Sequence, residues 1–296
     1  MSWPSAELTI DAALVGSLLR SQFPYLSELD GYPVAEGFDN SLWRLGDSLV
    51  VRIPRRVAAV ELTLNELRWL PVMARDVSLR TPLPLLAGVP SDQYPWPWSI
   101  ASWIEGVPGD EIDLDGNGPS AGALATFLRE IHVDAPVDAP RNSVRGVELG
   151  TRSPIFKERL SQVRGIVAHE SLFELWEECA EAPPWSSSPR WLHGDFHPAN
   201  TLYEDGKLVG VVDFGDLCAG DPATDLAGGL MSLPFHALDD FFGAYRVVDS
   251  ATLLRTIGWA VLFGVFMVAL GVGNRPTYLR VGQRTLANAT QFSKTL

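Results

Sequence analysis

The sequence predicts an α+β fold of two lobes, an N-terminal antiparallel sheet with a helix and a mainly helical C-terminal lobe. Two observations indicate this order: short strand-like segments separated by turns run from about residue 32 to 103, and apolar residues at helical spacing dominate after residue 118. At 296 residues and 46% hydrophobic, the chain can bury a large core. A break at Glu105-Gly-Val-Pro-Gly109 predicts lobes of residues 1–104 and 105–296.

The first strands are expected to form a hairpin. Residues 41–45 and 49–53 have strand character, and Gly46-Asp-Ser48 supplies a turn between them. Pro54 ends the second strand because it lacks a backbone N–H group. In the next segment, 57–70, apolar residues recur at helical spacing, so we expect a helix with one face on the sheet. The residues of that face are Val60, Leu64, Leu67 and Leu70.

The remaining elements follow from similar patterns. Residues 79–97 are rich in proline and turn residues, and residues 98–104 predict a buried strand. A helix is predicted around residues 124–131, and segments 156–180 and 238–273 continue in the same style. Loop, strand, turn and strand are expected over 191–213. Residues 257–273 are uncharged and apolar but are shorter than the roughly 18–20 residues of a spanning helix, so we predict a buried core helix.

Charge and cysteine content narrow the classes of function. The net charge of −13 disfavours nucleic acid as a partner and mildly favours a cationic one, although acidity also keeps a protein soluble. Two cysteines, Cys179 and Cys218, are too few for a disulfide framework. No basic residue precedes Arg20, so we expect no secretory or transit signal. These features predict a cytoplasmic protein without a membrane partner.

An acidic motif predicts a phosphoryl-transfer site. Residues 193–200 read His-Gly-Asp-Phe-His-Pro-Ala-Asn, and Asp213-Phe-Gly215 follows an apolar strand-like run. The spacing from Asp195 to Asn200 equals that of the protein-kinase catalytic loop. Such a reaction needs a carboxylate to orient the acceptor hydroxyl and oxygen ligands for Mg²⁺. We therefore predict Asp195 as the catalytic base, with Asn200 and Asp213 as the magnesium ligands.

Two histidines of this motif have an alternative interpretation. His193 and His197 are four residues apart, as in a zinc pair on one helical face. Gly194 and Pro198 make a helix there improbable, so we disfavour zinc. We expect His193 to hold the catalytic loop through hydrogen bonds. His197 has the same role or approaches the acceptor, and the sequence leaves this choice open.

The nucleotide phosphates also require a cation from the first lobe. Protein kinases use a strand lysine paired with a helix glutamate, but all lysines of this chain lie after residue 150. The candidate is Arg52 on the second strand of the hairpin, with Glu66 on the following helix as its partner. Arg55 and Arg56 compete with Arg52, and Glu61 competes with Glu66.

A phosphate-covering loop is expected just before that hairpin. The available segment is Glu36-Gly-Phe-Asp-Asn-Ser41, which contains one glycine. Its backbone N–H groups, with the side chain of Ser41 or Asn40, are candidates for bridging phosphate oxygens. An ordinary turn explains the segment equally well.

Together these residues resemble a known family. With His193-Gly-Asp195, Asn200, Asp213-Phe-Gly215 and Gly220-Asp-Pro-Ala-Thr-Asp225, the chain is similar to the aminoglycoside phosphotransferases, bacterial antibiotic kinases with a protein-kinase-like fold. The resemblance implies that Asp195 is the catalytic aspartate, that Asn200 and Asp213 bind magnesium and that Asp225 supports the catalytic loop. It also implies that Ser102 and Ile104 offer backbone groups to the nucleotide base.

Two features widen the expected range of function. Arginine stands at the usual lysine position, and the run at 52–56, Arg-Ile-Pro-Arg-Arg, is similar to the macrolide phosphotransferases, which can favour GTP. The family also contains choline and homoserine kinases. We therefore expect a kinase that uses ATP or GTP and a hydroxyl acceptor, preferably an aminoglycoside-like cation. A macrolide or metabolite kinase and a nucleotide-binding pseudokinase are the alternatives.

The position of the acceptor pocket follows from the same resemblance. We expect an acidic pocket between the catalytic loop and the helices at 118–131 and 238–270. An aromatic pocket built from Trp259, Phe263 and Phe266 would instead favour a macrolide.

Overall fold

The computed structural model describes residues 5–112, 118–246 and 248–296 and has the predicted α+β architecture. Its strands are β1 (Gly31–Glu36), β2 (Asn40–Leu45), β3 (Leu49–Pro54), β4 (Pro84–Gly88), β5 (Trp98–Ser102), β6 (Val107–Pro108), β7 (Arg190–Leu192), β8 (Thr201–Glu204), β9 (Lys207–Val211) and β10 (Cys218–Gly220). Its helices are α1 (Ala12–Gln22), α2 (Ala59–Met73), α3 (Gly118–Ile131), α4 (Ser153–Gln162), α5 (His169–Ala180), α6 (Ala223–Ser232), α7 (Leu238–Tyr245), α8 (Ser250–Asn274) and α9 (Pro276–Ser293).

The N-terminal region is an antiparallel sheet with strand order β1-β2-β3-β5-β4. The predicted hairpin is confirmed, because Leu45 of β2 lies opposite Leu49 of β3 and Gly46 takes a positive φ of 56° in the turn. The strand predicted from Trp98 is β5, which ends at Ser102. Strand β4 falls within the segment predicted only as turns, and helix α1 was not predicted.

The two faces of this sheet have different neighbours. Because side chains alternate along a strand, Trp43, Val51 and Ile53 share one face, where they join a buried cluster with residues of α1. Leu42 lies opposite Arg52 in the register and shares the other face. Arg52 is buried on that face and reaches α2.

Helix α2 buries only part of the face that was expected, since Leu70 is buried as predicted. Leu64, predicted as a core residue, is 50% exposed. The buried side chains are Ala59, Thr63, Glu66, Trp69, Leu70 and Met73. The prediction was wrong for Leu64 because it followed apolar spacing alone, whereas the inner face carries the Glu66 carboxylate that pairs with Arg52. At its C-terminal end the same face packs on the second region, where the ring of Trp69 lies 5.4 Å from that of Trp191.

The C-terminal region begins where the chain leaves the sheet. Strand β5 ends at Ser102, and β6 already pairs with β8 in a second sheet with β9, so the transition falls within residues 103–106, beside the predicted boundary. The predicted loop, strand, turn and strand are present from residue 193 to 211, but residues 191–192, predicted as loop, belong to β7. Segment 238–273 divides into α7 and α8, because Asp249 caps α8 by accepting a hydrogen bond from the Thr252 N–H at 2.7 Å.

Helix α8 contains the long apolar segment. Within the described chain it is the one helix whose length and composition would suit a membrane span, over Ser250–Val272, and 67% of its most apolar stretch is buried inside the protein. It packs closely on α9. A Cβ atom on Gly271 would lie only 2.3 Å from the backbone nitrogen of Leu279, so no side chain fits between the two helices there. This burial agrees with the predicted core helix.

Candidate functional site

Hydrogen bonds to buried polar groups hold the loop that carries Asp195 in place. The carboxylate of Asp225, in α6, accepts hydrogen bonds from the backbone N–H groups of His193 at 2.6 Å and Gly194 at 2.9 Å. His193 has Nε2 3.0 Å from the carbonyl oxygen of Val212 and accepts a hydrogen bond from the Asp195 N–H at Nδ1. The holding role predicted for His193 is therefore present, and Asp225 supports the loop as the resemblance implied.

Gly194 lets this loop lie against the segment that follows β9. Its φ is 85°, and a Cβ atom there would lie 2.2 Å from the carbonyl oxygen of Asp216. No side chain fits in that space, and the positive φ independently favours glycine. The two acidic segments are consequently in direct contact.

The structure brings together the three residues predicted for catalysis and metal binding. The side-chain amide of Asn200 donates to the Asp195 carbonyl oxygen at 2.9 Å, and the Val212 N–H donates to the Asn200 carbonyl oxygen at 2.9 Å. Asp213 follows with a positive φ of 65°, and its carboxylate is 56% exposed. A positive φ on a non-glycine residue is a strained feature often found in functional sites.

The predicted pairing of Arg52 with Glu66 is also present. Nη2 of Arg52 lies 2.8 Å from Glu66 Oε2 and 3.5 Å from Asp213 Oδ1. Both side chains of the Arg52–Glu66 pair are less than a tenth exposed. Burial alone would lower the pKa of Arg52, but the charges of Glu66 and Asp213 raise it. A permanent cation is thus held on the sheet beside Asp213.

Arg55 and Arg56, which competed with Arg52 as candidates, form hydrogen bonds to the turn before β2. Arg56 donates twice to the Asp39 carboxylate, at 3.0 and 2.6 Å, and Arg55 donates to the Gly37 carbonyl oxygen at 2.8 Å. Glu61 is exposed at the start of α2. Arg55 and Arg56 therefore anchor the predicted phosphate-covering segment, whereas Arg52 faces the acidic residues.

The other predicted nucleotide residues are distributed differently. The side chain of Ser41 lies on the sheet face opposite Arg52, where its hydroxyl accepts a hydrogen bond from Trp43 Nε1 at 3.0 Å, so it does not join the cluster. The Ser102 N–H donates to the Leu83 carbonyl oxygen at 3.2 Å. Within the described chain, both backbone polar groups of Ile104 lack a protein partner, as a base-binding segment requires.

Arg145 belongs to this site and was not predicted from the sequence. Its Nη2 lies 3.0 Å from Asp195 Oδ1, while His197 Nε2 lies 3.4 Å from Asp195 Oδ2. Burial alone would raise the pKa of Asp195, but the interactions with His197 and Arg145 lower it below its usual range. Both carboxylate oxygens of Asp195 therefore have a nitrogen partner, and the permanent charge of Arg145 favours the ionised carboxylate.

The segment around Arg145 is anchored to the chain that follows the second acidic motif. Asn142 donates to Asp216 Oδ1 at 2.7 Å, and the Gly146 N–H donates to Thr224 Oγ1 at 3.1 Å. The segment between α3 and α4 has little regular structure. It carries no periodicity or motif, so the sequence offered no signal that Arg145 would reach a residue fifty positions later.

The oxygen donors of this site fit Mg²⁺ better than a softer metal. The part of the chain that the structure describes has no group of three or more His, Cys, Asp or Glu side chains placed to hold a metal ion. Asp213 offers a half-exposed carboxylate, and Asn200 offers Oδ1, which has no donor among the described residues. Mg²⁺ is commonly held by one or two such protein oxygens together with water and phosphate oxygens. Both ring nitrogens of His193 are engaged, which disfavours a zinc pair.

Comparison with known proteins identifies the family. Residues 30–260, more than three quarters of the chain, match the family model described as the phosphotransferase enzyme family. The chain belongs to this family. The match includes Arg52, Glu66, Arg145 and both acidic motifs of this phosphotransferase-family protein.

Individual relatives agree with the family assignment. An aminoglycoside 3'-phosphotransferase from Escherichia coli is 30% identical over 108 residues, which are 36% of this chain and 40% of the relative. The match thus spans less than half of that curated relative. The GDP complex of an aminoglycoside 2'-phosphotransferase of type IIIa has the same fold, with a TM-score of 0.70 and 21% identity over 96% of this chain and all of that chain.

A macrolide enzyme shares this fold as well. The macrolide 2'-phosphotransferase of Brachybacterium faecium, without ligand, superposes with a TM-score of 0.61 and 21% identity over 93% of this chain and 98% of that chain. The fold of this phosphotransferase-family protein is therefore shared by an aminoglycoside phosphotransferase and a macrolide phosphotransferase.

A small cavity lies beside the catalytic loop of this phosphotransferase-family protein. Its lining comes from the segment after β6, the loop, α8 and α9: Asp110, His197, Pro198, Ala199, Met267, Tyr278 and Val281. Of the two predicted wall segments, the one at 238–270 contributes, through Met267. The aromatic residues expected for a macrolide pocket are largely covered. Trp259 is fully buried, and Arg145 lies over the ring of Phe263 and Arg159 over that of Phe266.

Proposed function

We propose that this protein transfers the γ-phosphoryl group of ATP or GTP to a hydroxyl group of an aminoglycoside-like antibiotic. The observation that carries the proposal is the convergence of Asp195, Asn200 and Asp213 beside the buried Arg52–Glu66 pair. Family membership supports phosphoryl transfer, and the names of the relatives supply the class of acceptor.

In this proposal Asp195 is the catalytic residue. Its carboxylate accepts a hydrogen bond from the acceptor hydroxyl, orients the oxygen toward the γ-phosphorus and takes the proton. The bond between the γ-phosphorus and the bridging oxygen breaks, and its electron pair remains on the nucleoside diphosphate. Because such transfers pass through a loose transition state, positioning and charge stabilisation supply most of the catalysis.

Asn200 and Asp213 would hold Mg²⁺ through the amide Oδ1 and the carboxylate. When bound, the ion neutralises negative charge on the phosphate oxygens. The Asn200 amide nitrogen is already bonded to the Asp195 carbonyl oxygen, so the side-chain orientation that leaves Oδ1 without a protein donor is fixed before any ion binds.

The nucleotide is assigned to the N-terminal lobe, residues 1–104. Arg52 binds the phosphates and Glu66 orients Arg52, and the unpaired backbone groups of Ile104, next to Ser102, receive the base. The anchored turn before β2 covers the phosphates with its backbone, which leaves Ser41 a role through its main chain. Residues 105–296 form the catalytic and acceptor lobe, and the site of action is the cytoplasm.

The acceptor enters beside His197, where Asp110 lies in the wall of the cavity. This carboxylate and the net charge of −13 favour a cationic acceptor. A macrolide kinase is the second candidate, supported by the fold shared with the macrolide enzyme and by the apolar lining from Met267 and Val281. A metabolite kinase and a pseudokinase are the remaining alternatives.

Mass spectrometry of an acceptor panel tests these functions. Purified protein is incubated with Mg²⁺, ATP or GTP, and kanamycin, other aminoglycosides, macrolides, choline or homoserine, with Asp195→Asn as the control. We expect a mass gain of one phosphate on an aminoglycoside that depends on Asp195. A gain on a macrolide or metabolite alone would replace the acceptor. Nucleotide binding without any gain would support the pseudokinase.

A further inference from the structure

The acidic residues of the site exceed the cations that face them. Asp195, Asp213 and Asp216 lie close enough to influence one another's charge, and a nucleoside triphosphate would add further negative charge. In the described part of the chain, the permanent cations within 4 Å of these carboxylates are Arg52 and Arg145. Arg52 is committed to Glu66 in a buried pair. Arg145 is thus the permanent cation whose present partner a substrate can reach.

We propose that Arg145 is a second phosphoryl-binding cation, which contacts the transferred group as it passes to the acceptor hydroxyl. This inference rests on the proposed function. The Arg145 guanidinium lies 3.0 Å from Oδ1 of Asp195, the carboxylate that binds the reacting hydroxyl in the proposed function. The phosphoryl group forms its new bond to that hydroxyl oxygen, so the reaction carries negative charge to the side of the site where Arg145 lies.

To contact the transferred group, the Arg145 side chain must move away from Asp195. The backbone beside Arg145 is anchored, so this movement involves the side chain alone. The neighbouring Gly146 is bonded to Thr224 and, through its carbonyl oxygen, to the Asp221 N–H at 3.0 Å. The guanidinium lies 5.0 Å from the ring centroid of Phe263, and the side chain remains 22% exposed. Its Nε is buried and lacks an acceptor among the described residues, so the guanidinium keeps one hydrogen-bond donor that Asp195 does not use.

Proton transfer gives a reason for the movement. While Asp195 is ionised, it attracts Arg145. When Asp195 takes the hydroxyl proton, it becomes neutral and this attraction falls, while the oxygens of the migrating phosphoryl group remain charged. Guanidinium groups bind phosphate through paired hydrogen bonds. An arginine supplied by the same chain is an established means of stabilising charge in phosphoryl-transfer transition states.

The test compares the transition state with the ground state. The variants are Arg145→Gln, Arg145→Lys and, as a matched control, Arg141→Gln, since Arg141 lies in the same segment but is exposed and donates only to the Ala219 carbonyl oxygen. For each we would measure kcat, KM and the affinity for GDP with Mg²⁺ and kanamycin, both with and without aluminium fluoride, which mimics the migrating phosphoryl group.

We expect Arg145→Gln to lower kcat and the affinity for the aluminium fluoride complex by about 100-fold each, with the affinity for GDP alone within about three-fold. Arg145→Lys should recover part of both losses, and Arg141→Gln should match the unaltered protein. Equal losses for GDP and for the aluminium fluoride complex, or an unchanged kcat, would overturn the role of Arg145. Failure of the unaltered protein to phosphorylate any acceptor or to bind the complex would instead remove the proposed function itself.

Discussion

Two arginines contact carboxylates of the acidic site, Arg52 that of Asp213 and Arg145 that of Asp195, and their surroundings differ. Arg52 comes from a strand and pairs with a helix glutamate, and both side chains are less than a tenth exposed. Arg145 comes from an irregular segment and pairs with Asp195, and the two side chains are 22% and 32% exposed. A buried ion pair is costly to break, whereas a partly solvated one can exchange partners. The comparison indicates that the Arg52 pair is the more rigid of the two, which agrees with our proposal that Arg145 responds to substrates.

The largest expected effect is a loss of turnover on substitution of Asp195, the partner of the more exposed arginine. Asp195→Asn removes the proton acceptor, so turnover should fall by about 1,000-fold. Because Asp195 is partly exposed, the midpoint of thermal unfolding should change little. Steady-state kinetics with the acceptor found by mass spectrometry, together with thermal unfolding, measure both. Activity within ten-fold of the unaltered protein, a margin of about 1.4 kcal/mol, would rule out Asp195 as the base.

Substitutions in the buried Arg52–Glu66 pair should lower the free energy of unfolding. Glu66→Ala leaves Arg52 buried with only the more distant Asp213, and we expect a loss of about 3 kcal/mol in the free energy of unfolding. Denaturant unfolding measures it. The control is Glu61→Ala on the exposed face of the same helix, which should cost no more than about 0.5 kcal/mol. Similar losses for the two variants would show that the pair does not stabilise the fold.

Two leucine substitutions in α2 test how much its buried face contributes to the stability of the fold. Leu70 is fully buried and packs on the C-terminal region, so Leu70→Ala should cost at least about 2 kcal/mol of unfolding free energy. Leu64 is half exposed, and Leu64→Ala should cost about 0.5 kcal/mol or less. Both can be measured by denaturant unfolding. If Leu64→Ala proved the more costly, the half-exposed position of Leu64 in α2 would be contradicted.

The smallest effect concerns the chemistry of the fixed cation. Arg52→Lys keeps the charge but loses the planar fork, so we expect about a ten-fold loss in kcat/KM for the nucleotide, with Glu66 still paired. Kinetics with ATP and with GTP measure it. A gain in activity with ATP would instead show that arginine limits the use of that donor, and a complete loss would show that the fork itself is required.

The sequence predicted the parts of the site that lie close together in the chain. Asp195 and Asn200 are five positions apart and share one loop, and the apolar strand before Asp213 indicated where the second carboxylate would emerge. The Arg52–Glu66 pair was also predictable, because one strand and the helix that follows it have few possible arrangements. Helix α9 and strand β4 were missed, since polar or proline-containing stretches hide their apolar faces.

The sequence by itself determined the order of most elements, the acidic motifs and the candidates for the strand cation, because these depend on local periodicity and short spacing. Only the tertiary structure decided which face of α2 is buried, that the side chain of Ser41 turns away from Arg52 and that Arg145 reaches Asp195. Each of these depends on contacts between residues far apart in the chain. Such contacts are selected by how whole elements pack, and no local pattern records them.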